Sequence, residues 1–214
     1  KNLTAEEKVA SYEAQIAANT INETECQMYG DMFMASRNVE GLSDEKANYF
    51  LDKAADAYMR AYKLNPTNFA AAFNVGISYY NQYTVLDDQF GNNIRALQQL
   101  NTNKPVAPKD PKKKLAFDAA FKAQQDSIKK LNLALDAPMK AKADQAIEWI
   151  ENAFNIVKDK TTLSKQEKNV ASRSVDFLAT LYAAKRDKNR ANQKLYDELD
   201  AKFTKYDLLH DKYQ

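Results

Sequence analysis

AADAYMRAYKLNPTNFAAAFNVGISY, residues 54–79, contains the end of one helix, a turn and the start of a second helix. The first helix carries small and aromatic residues on one face: Ala54, Tyr58 and Ala61. The second helix has a comparable set: Val75, Gly76 and Tyr79. Pro66 ends the first helix, because proline has no amide hydrogen and disfavours helical backbone at the residue before it. The stretch therefore predicts two closely packed helices joined by a short turn.

The composition favours an all-α fold. The 214 residues include only 4 glycines and 5 prolines, and no long stretch alternates polar and apolar residues with a period of two. A chain of this length can bury a substantial core without a metal or a disulfide. Cys26 is the single cysteine, and its apolar neighbours favour a small buried side chain over a reactive thiol.

Capping motifs and helix breakers divide the rest of the chain. A Ser or Thr followed by Glu three residues later forms a capping box, and this pattern occurs at Thr4, Thr20 and Ser164. Ser43 and Asp110 are further N-cap candidates. We expect breaks near Gly91, Pro138 and residues 186–188, with a last helix from about Asn189.

The spacing of small and large residues resembles the tetratricopeptide repeat, in which an A helix packs against a B helix. In the first unit the matching residues are Tyr29, Gly30, Phe33, Ala54, Tyr58, Ala61 and Pro66. In the second unit they are Val75, Gly76, Tyr79, Ala146, Ile150 and Ala153. In the third unit they are Leu178, Ala179, Tyr182, Ala191 and Leu195.

The resemblance implies one all-α domain over residues 1–214. In it, antiparallel helical hairpins stack as a short right-handed superhelix. Repeat 1 covers about residues 23–66, repeat 2 about 69–160 with a helical insertion at about 86–138, and repeat 3 about 164–204. The alternative is an irregular antiparallel helical bundle.

The resemblance also implies a concave binding face formed by the A helices, where a peptide or a partner helix is received. The implied binding residues of the second unit are Phe73, Asn74, Ile77, Tyr80 and Asn81. Those of the third unit are Arg173, Asp176 and Thr180. The alternatives are that the aromatic residues are core, covered by the inserted helix around Phe117 and Phe121, and that the polar residues are ordinary solvated side chains.

Some members of this family hold a carboxylate with Lys, Asn and Arg at fixed A-helix positions. Here those positions carry Gln27, Asp31 and Phe177, and only Asn74 fits, so we do not expect this clamp. His210 is the only histidine and no glycine-rich phosphate loop occurs, so we predict no enzymatic activity, no metal and no cofactor.

A net charge of +2 with interspersed signs argues against a nucleic-acid partner, and no apolar run predicts a transmembrane segment. Lys104, Lys109 and residues 112–114 concentrate positive charge beside two prolines. They form either a contact for an acidic or anionic partner or an extended solvated linker. The first residue is Lys1 rather than methionine, which favours an exported protein whose signal was removed over a cytoplasmic one.

These observations predict a non-enzymatic adaptor that binds a protein or peptide on its concave face. Two alternatives remain open from the sequence. One is an assembly subunit that self-associates through the insertion or the terminal helix. The other is a helical protein that binds a small ligand at the insertion.

Overall fold

The structure, a computed structural model, describes residues 3–213, so Lys1 lies outside the described part. The predicted all-α class is confirmed, since these residues form helices and contain no strand. The helices are α1 (Ala5–Ala17), α2 (Glu23–Ser36), α3 (Asp44–Leu64), α4 (Phe69–Thr102), α5 (Pro111–Val157), α6 (Lys165–Lys188) and α7 (Gln193–Tyr213).

Most of the predicted helix starts are confirmed by the side chains that cap them. Thr4 and Ser164 each accept the amide hydrogen of a glutamate three residues later, and that glutamate accepts the N–H of the capping residue. Ser43 caps α3, and α3 ends at Leu64, ahead of Pro66. The box predicted at Thr20 is wrong, because Asn22 pairs with Glu25 instead and starts α2 two residues later.

Two predicted breaks are wrong, and a third lies a few residues later than predicted. Gly91 lies inside α4 and Pro138 inside α5, although proline removes one hydrogen bond from the helix. Proline costs about 3 kcal/mol in a helix interior, yet α5 continues past Pro138, where the next residue, Met139, is buried. The break predicted at residues 186–188 follows directly after them: α6 ends at Lys188 and the last helix begins at Gln193. Arg186 pairs with Asp200 of α7 at 2.8 Å across this turn.

The fold separates into two compact units. Unit 1 contains the residues up to Gln82 and those from Ala143 onward, and unit 2 contains Tyr83–Lys142. Unit 2 includes the predicted insertion at 86–138. All buried apolar side chains of the described chain belong to unit 1 except Tyr83 and Met139.

Within unit 1, neighbouring helices approach closely at two glycines, which have no side chain to hold the helices apart. A methyl group built on Gly30 would lie 2.5 Å from the Tyr58 ring, and one built on Gly76 would lie 2.5 Å from Ile150. The residues of the second predicted B helix, Ala146, Ile150 and Ala153, are fully buried. Trp149 of that helix packs edge-on against Tyr62 of α3, with ring centroids 5.3 Å apart.

Unit 2 is a helical hairpin formed by the second half of α4 and the first two thirds of α5. Its less exposed residues recur at alternating spacings of three and four, typical of a coiled-coil seam. On α4 they include Leu86, Phe90, Asn93, Leu97 and Leu100, and on α5 they include Phe121, Gln125, Ile128, Asn132 and Leu135. The Asn93 amide donates to the Asn132 side chain at 2.8 Å across this seam.

Candidate binding surface

Helices α4 and α6 meet through aromatic side chains in unit 1. The rings of Tyr80 and Phe177 lie edge to face with centroids 4.7 Å apart, and Phe73 lies 6.2 Å from Phe177. The guanidinium carbon of Arg173 is 4.8 Å from the Phe73 centroid, a favourable position over the negative face of a ring. The predicted site residues Phe73 and Tyr80 of α4 and Arg173 of α6 are thus brought into one cluster, together with Phe177 of α6, which is not among the predicted site residues. We call this cluster the aromatic patch: Phe73, Tyr80, Arg173 and Phe177.

The members of the aromatic patch differ in accessibility. Phe73 is only 2% exposed, so its ring belongs to the core rather than to the surface. Tyr80 and Phe177 are partly exposed, and Arg173 is exposed. The surface therefore consists of two ring edges and one cation, with Phe73 as the buried support beneath them.

The predicted polar residues of α4 have different surroundings. Asn81 donates from its amide to the sulfur of Met34 on α2 at 3.8 Å, a weak contact that links α2 and α4. The side chain of Asn74 is partly exposed and forms no hydrogen bond with another described residue. Ile77 is partly exposed between them. Asn74 thus retains both donor and acceptor capacity for a peptide backbone.

The other two predicted residues of α6 line a groove between α6 and α7, which we call the α6–α7 groove. Its volume is about 460 Å³. The apolar part of its lining includes Val175, Ala179, Ala183, Phe203 and Tyr206. The polar part includes Asp176, Thr180, Asp207 and His210. Both helices belong to unit 1, so this groove lies outside the predicted insertion.

Asp176 and Thr180 are exposed at this groove. Nδ1 of His210 lies 2.6 Å from Oδ1 of Asp176, which joins the rims of α6 and α7. The Thr180 hydroxyl donates to the Asp176 carbonyl at 2.9 Å, within the same helix. The Asp176 carboxylate and the Asp207 side chain make the polar side of the groove rich in acceptors.

A polar cluster beside the groove joins three helices. The hydroxyls of Tyr182 and Tyr206 donate to the same oxygen of Glu151, at 3.0 Å and 2.7 Å. Their rings stack with centroids 5.8 Å apart, and Lys202 lies 3.5 Å from that oxygen. Burial, reinforced by the Glu151 carboxylate, raises the pKa of both tyrosines. Both phenols are therefore neutral donors that hold the Tyr206 wall of the groove in place.

Sequence reasoning missed the contribution of α7 and of Phe177. Phe177 lies four residues after Arg173, so helical spacing alone places both on one face of α6. In the tetratricopeptide-like pattern, Phe177 enters only as a departure from the carboxylate clamp. Nothing in the spacing of His210 or Phe203 indicates the groove, because their approach to α6 depends on how α7 packs.

The described residues include no group of three or more His, Cys, Asp or Glu positioned to hold a metal ion. None of the helices between residues 3 and 213 combines the length and the apolar character that crossing a bilayer requires. Comparison with protein-family models, with curated proteins and with solved structures yields no match.

Proposed function

We propose that this chain is a non-enzymatic, tetratricopeptide-like adaptor that binds a peptide segment of a partner protein along α6. The surface combines the aromatic patch on one side of α6 with the α6–α7 groove on the other. One observation carries the proposal: the aromatic patch and the groove are joined by a single accessible stripe along α6. The stripe consists of Arg173, Asp176, Phe177 and Thr180.

The chemistry of the stripe suits a peptide. Tyr and Arg are enriched among residues that dominate binding energy, because they combine large apolar contact with a polar end. Partly exposed rings at Tyr80 and Phe177 provide apolar anchors beside the Arg173 cation. Asn74 and the acceptors of the groove rim provide hydrogen-bonding groups for the N–H and C=O groups of a peptide backbone.

The contacts among helices also favour the tetratricopeptide-like arrangement. Gly30 and Gly76 occupy the small A-helix positions of that family and lie against Tyr58 and Ile150 at the matching B-helix positions. Asn81 contacts α2 and Tyr80 contacts α6, so α4 has a predicted A helix on each side. Stacking of this kind places the predicted A-helix faces side by side.

The proposal is tested by using the full chain as the target and selecting the peptides that bind it from a displayed library of random sequences. Arg173→Glu reverses the exposed cation, and Thr180→Arg places a long side chain at the groove. We expect each change to weaken binding of the selected peptides by about tenfold or more, since each alters the centre of the interface. Asn155→Arg, an exposed position on α5, is the control and should leave the affinity unchanged.

Helical circular dichroism of every variant must equal that of the parent chain, so that lost binding reflects the surface rather than the fold. The proposal is rejected if no peptide is selected. It is also rejected if selected peptides bind the Arg173 and Thr180 variants as tightly as the parent and the Asn155 control.

A further inference from the structure

Positive charge is concentrated at the closed end of the unit 2 hairpin. Residues 103–117, which we call the lysine segment, contain five lysines and one aspartate, a net charge of +4. The whole chain carries +2, so the residues outside the lysine segment sum to −2. The segment is therefore a local basic feature and does not reflect a generally basic protein.

Most of these charges are not neutralised by neighbouring carboxylates. Lys104 lies 3.5 Å from Asp118 and over the Phe121 ring at 4.5 Å, so it is engaged within the hairpin. The carboxylate of Asp110 accepts the backbone N–H groups of Lys112 and Lys113 as an N-cap. Four exposed lysines form no ion pair with any described residue: Lys109, Lys112, Lys113 and Lys114.

Two apolar side chains accompany the unpaired lysines. Val106 is 96% exposed in the loop, and Leu115 is 74% exposed on the first turns of α5. Pro105 and Pro108 restrict the backbone on both sides of Val106, which reduces the entropy lost when the loop is immobilised. Exposed apolar groups among lysines are a recurring feature of segments that enter the headgroup region of a bilayer.

We propose that the lysine segment is a binding site for the surface of an anionic phospholipid bilayer. The lysine ammonium groups approach the phosphates, while Val106 and Leu115 enter the boundary between headgroups and acyl chains. A single-stranded nucleic acid fits less well, since Phe117, the one aromatic residue of the lysine segment, is already engaged by the Phe121 ring and by Lys104 of the hairpin. An acidic peptide would leave both apolar side chains in water.

Sedimentation of the full chain with vesicles tests the proposal. One vesicle preparation contains equal parts of phosphatidylglycerol and phosphatidylcholine, and the other contains phosphatidylcholine alone. We expect binding to the anionic vesicles only, weakening as salt is added. The triple change K112Q/K113Q/K114Q should reduce the partition coefficient by about 100-fold, at roughly fivefold per lysine.

The matched control removes three exposed, unpaired lysines elsewhere, in K165Q/K168Q/K194Q, and should change binding by less than about threefold. The pair V106N/L115Q keeps the charge and should reduce binding by about tenfold or more. Equal losses in the two lysine triples would overturn the proposal. So would unchanged lipid binding in V106N/L115Q, because the lysines alone would then account for the binding and no apolar side chain would enter the bilayer.

Discussion

The small residues at Gly30 and Gly76 determine how closely the helices of unit 1 approach. At Gly30 the obstacle to a larger residue is the Tyr58 ring, which is fixed by a 2.6 Å hydrogen bond to Asp31. At Gly76 the obstacle includes backbone, since a methyl group would lie 3.0 Å from the Ile150 nitrogen and 3.3 Å from the Ala146 oxygen. Backbone cannot rotate aside as a side chain can, so Gly76 is the stricter position.

Gly76→Ala should lower the free energy of unfolding by about 1–2 kcal/mol. Overpacking costs about 1–3 kcal/mol, and the better helix propensity of alanine returns at most about 1 kcal/mol. Gly91→Ala in the same helix is the control, because its methyl group meets nothing closer than 3.7 Å and should raise stability by about 0.5–1 kcal/mol. Urea denaturation measures both, and equal stabilisation would show that the α4–α5 contact is looser than the structure indicates.

Helical spacing predicts which residues face a neighbouring helix. It does not predict whether such a residue is then covered by side chains from a distant part of the chain. The tetratricopeptide-like pattern identifies Tyr58, Gly76 and Ile150 as interior positions, and all three are buried. The same pattern places Phe73 on the binding face, yet Phe177 and Arg173 cover it. Coverage of this kind depends on a residue about 100 positions away in the sequence, which local spacing does not encode.

At the scale of the helix, capping chemistry was readable from the sequence because its partners are three residues apart. Thr4, Ser43, Ser164 and Asp110 all cap the helices predicted for them. Pro138 misled the prediction, because a local rule cannot weigh one lost hydrogen bond against the packing of a whole helix. The length of α4 and α5 was therefore underestimated.

The start of α6 should lose stability in acid through Glu167. A hydrogen bond from Lys160 and those from Ser164 lower the pKa of the Glu167 carboxyl from its usual 4.5 to about 2. A lowered folded-state pKa means that the stabilisation is complete above the unfolded pKa near 4.5 and is lost as the pH falls towards about 2. The capping carboxylate also lies at the positive end of the helix dipole.

We therefore expect Glu167→Gln to be less stable than the parent chain at neutral pH, with the difference shrinking below pH 4.5 and disappearing near pH 2. Urea denaturation across this range measures the difference. Glu148→Gln, an exposed position without a hydrogen bond or ion pair to a described residue, is the control and should show a smaller dependence on pH. A constant difference between Glu167→Gln and the parent would exclude the carboxylate as its source.

For the molecule as a whole, the all-α class followed from composition and periodicity, and the helical insertion predicted at about 86–138 lies within the residues of unit 2. The hairpin seam of unit 2 was not recognised, because Gly91 and the prolines obscured a regular three-and-four spacing. Asn93 and Asn132 pair at this seam, where a hydrogen-bonded polar pair favours one register over others at a cost in stability. The two units therefore rest on different principles, a buried core in one and a two-helix seam in the other.

This division predicts that unit 1 folds when Tyr83–Lys142 is replaced by a short Asn-Gly turn between Gln82 and Ala143. Except for Tyr83 and Met139, every buried apolar side chain of the described chain remains in the shortened protein, and so does the contact of Gly76 with Ile150. The shortened chain should unfold cooperatively in urea with helical circular dichroism, bind the selected peptides with unchanged affinity and fail to sediment with anionic vesicles. Retained vesicle binding would place the lipid contact outside the lysine segment, and lost helicity would show that the core of unit 1 is insufficient without the hairpin.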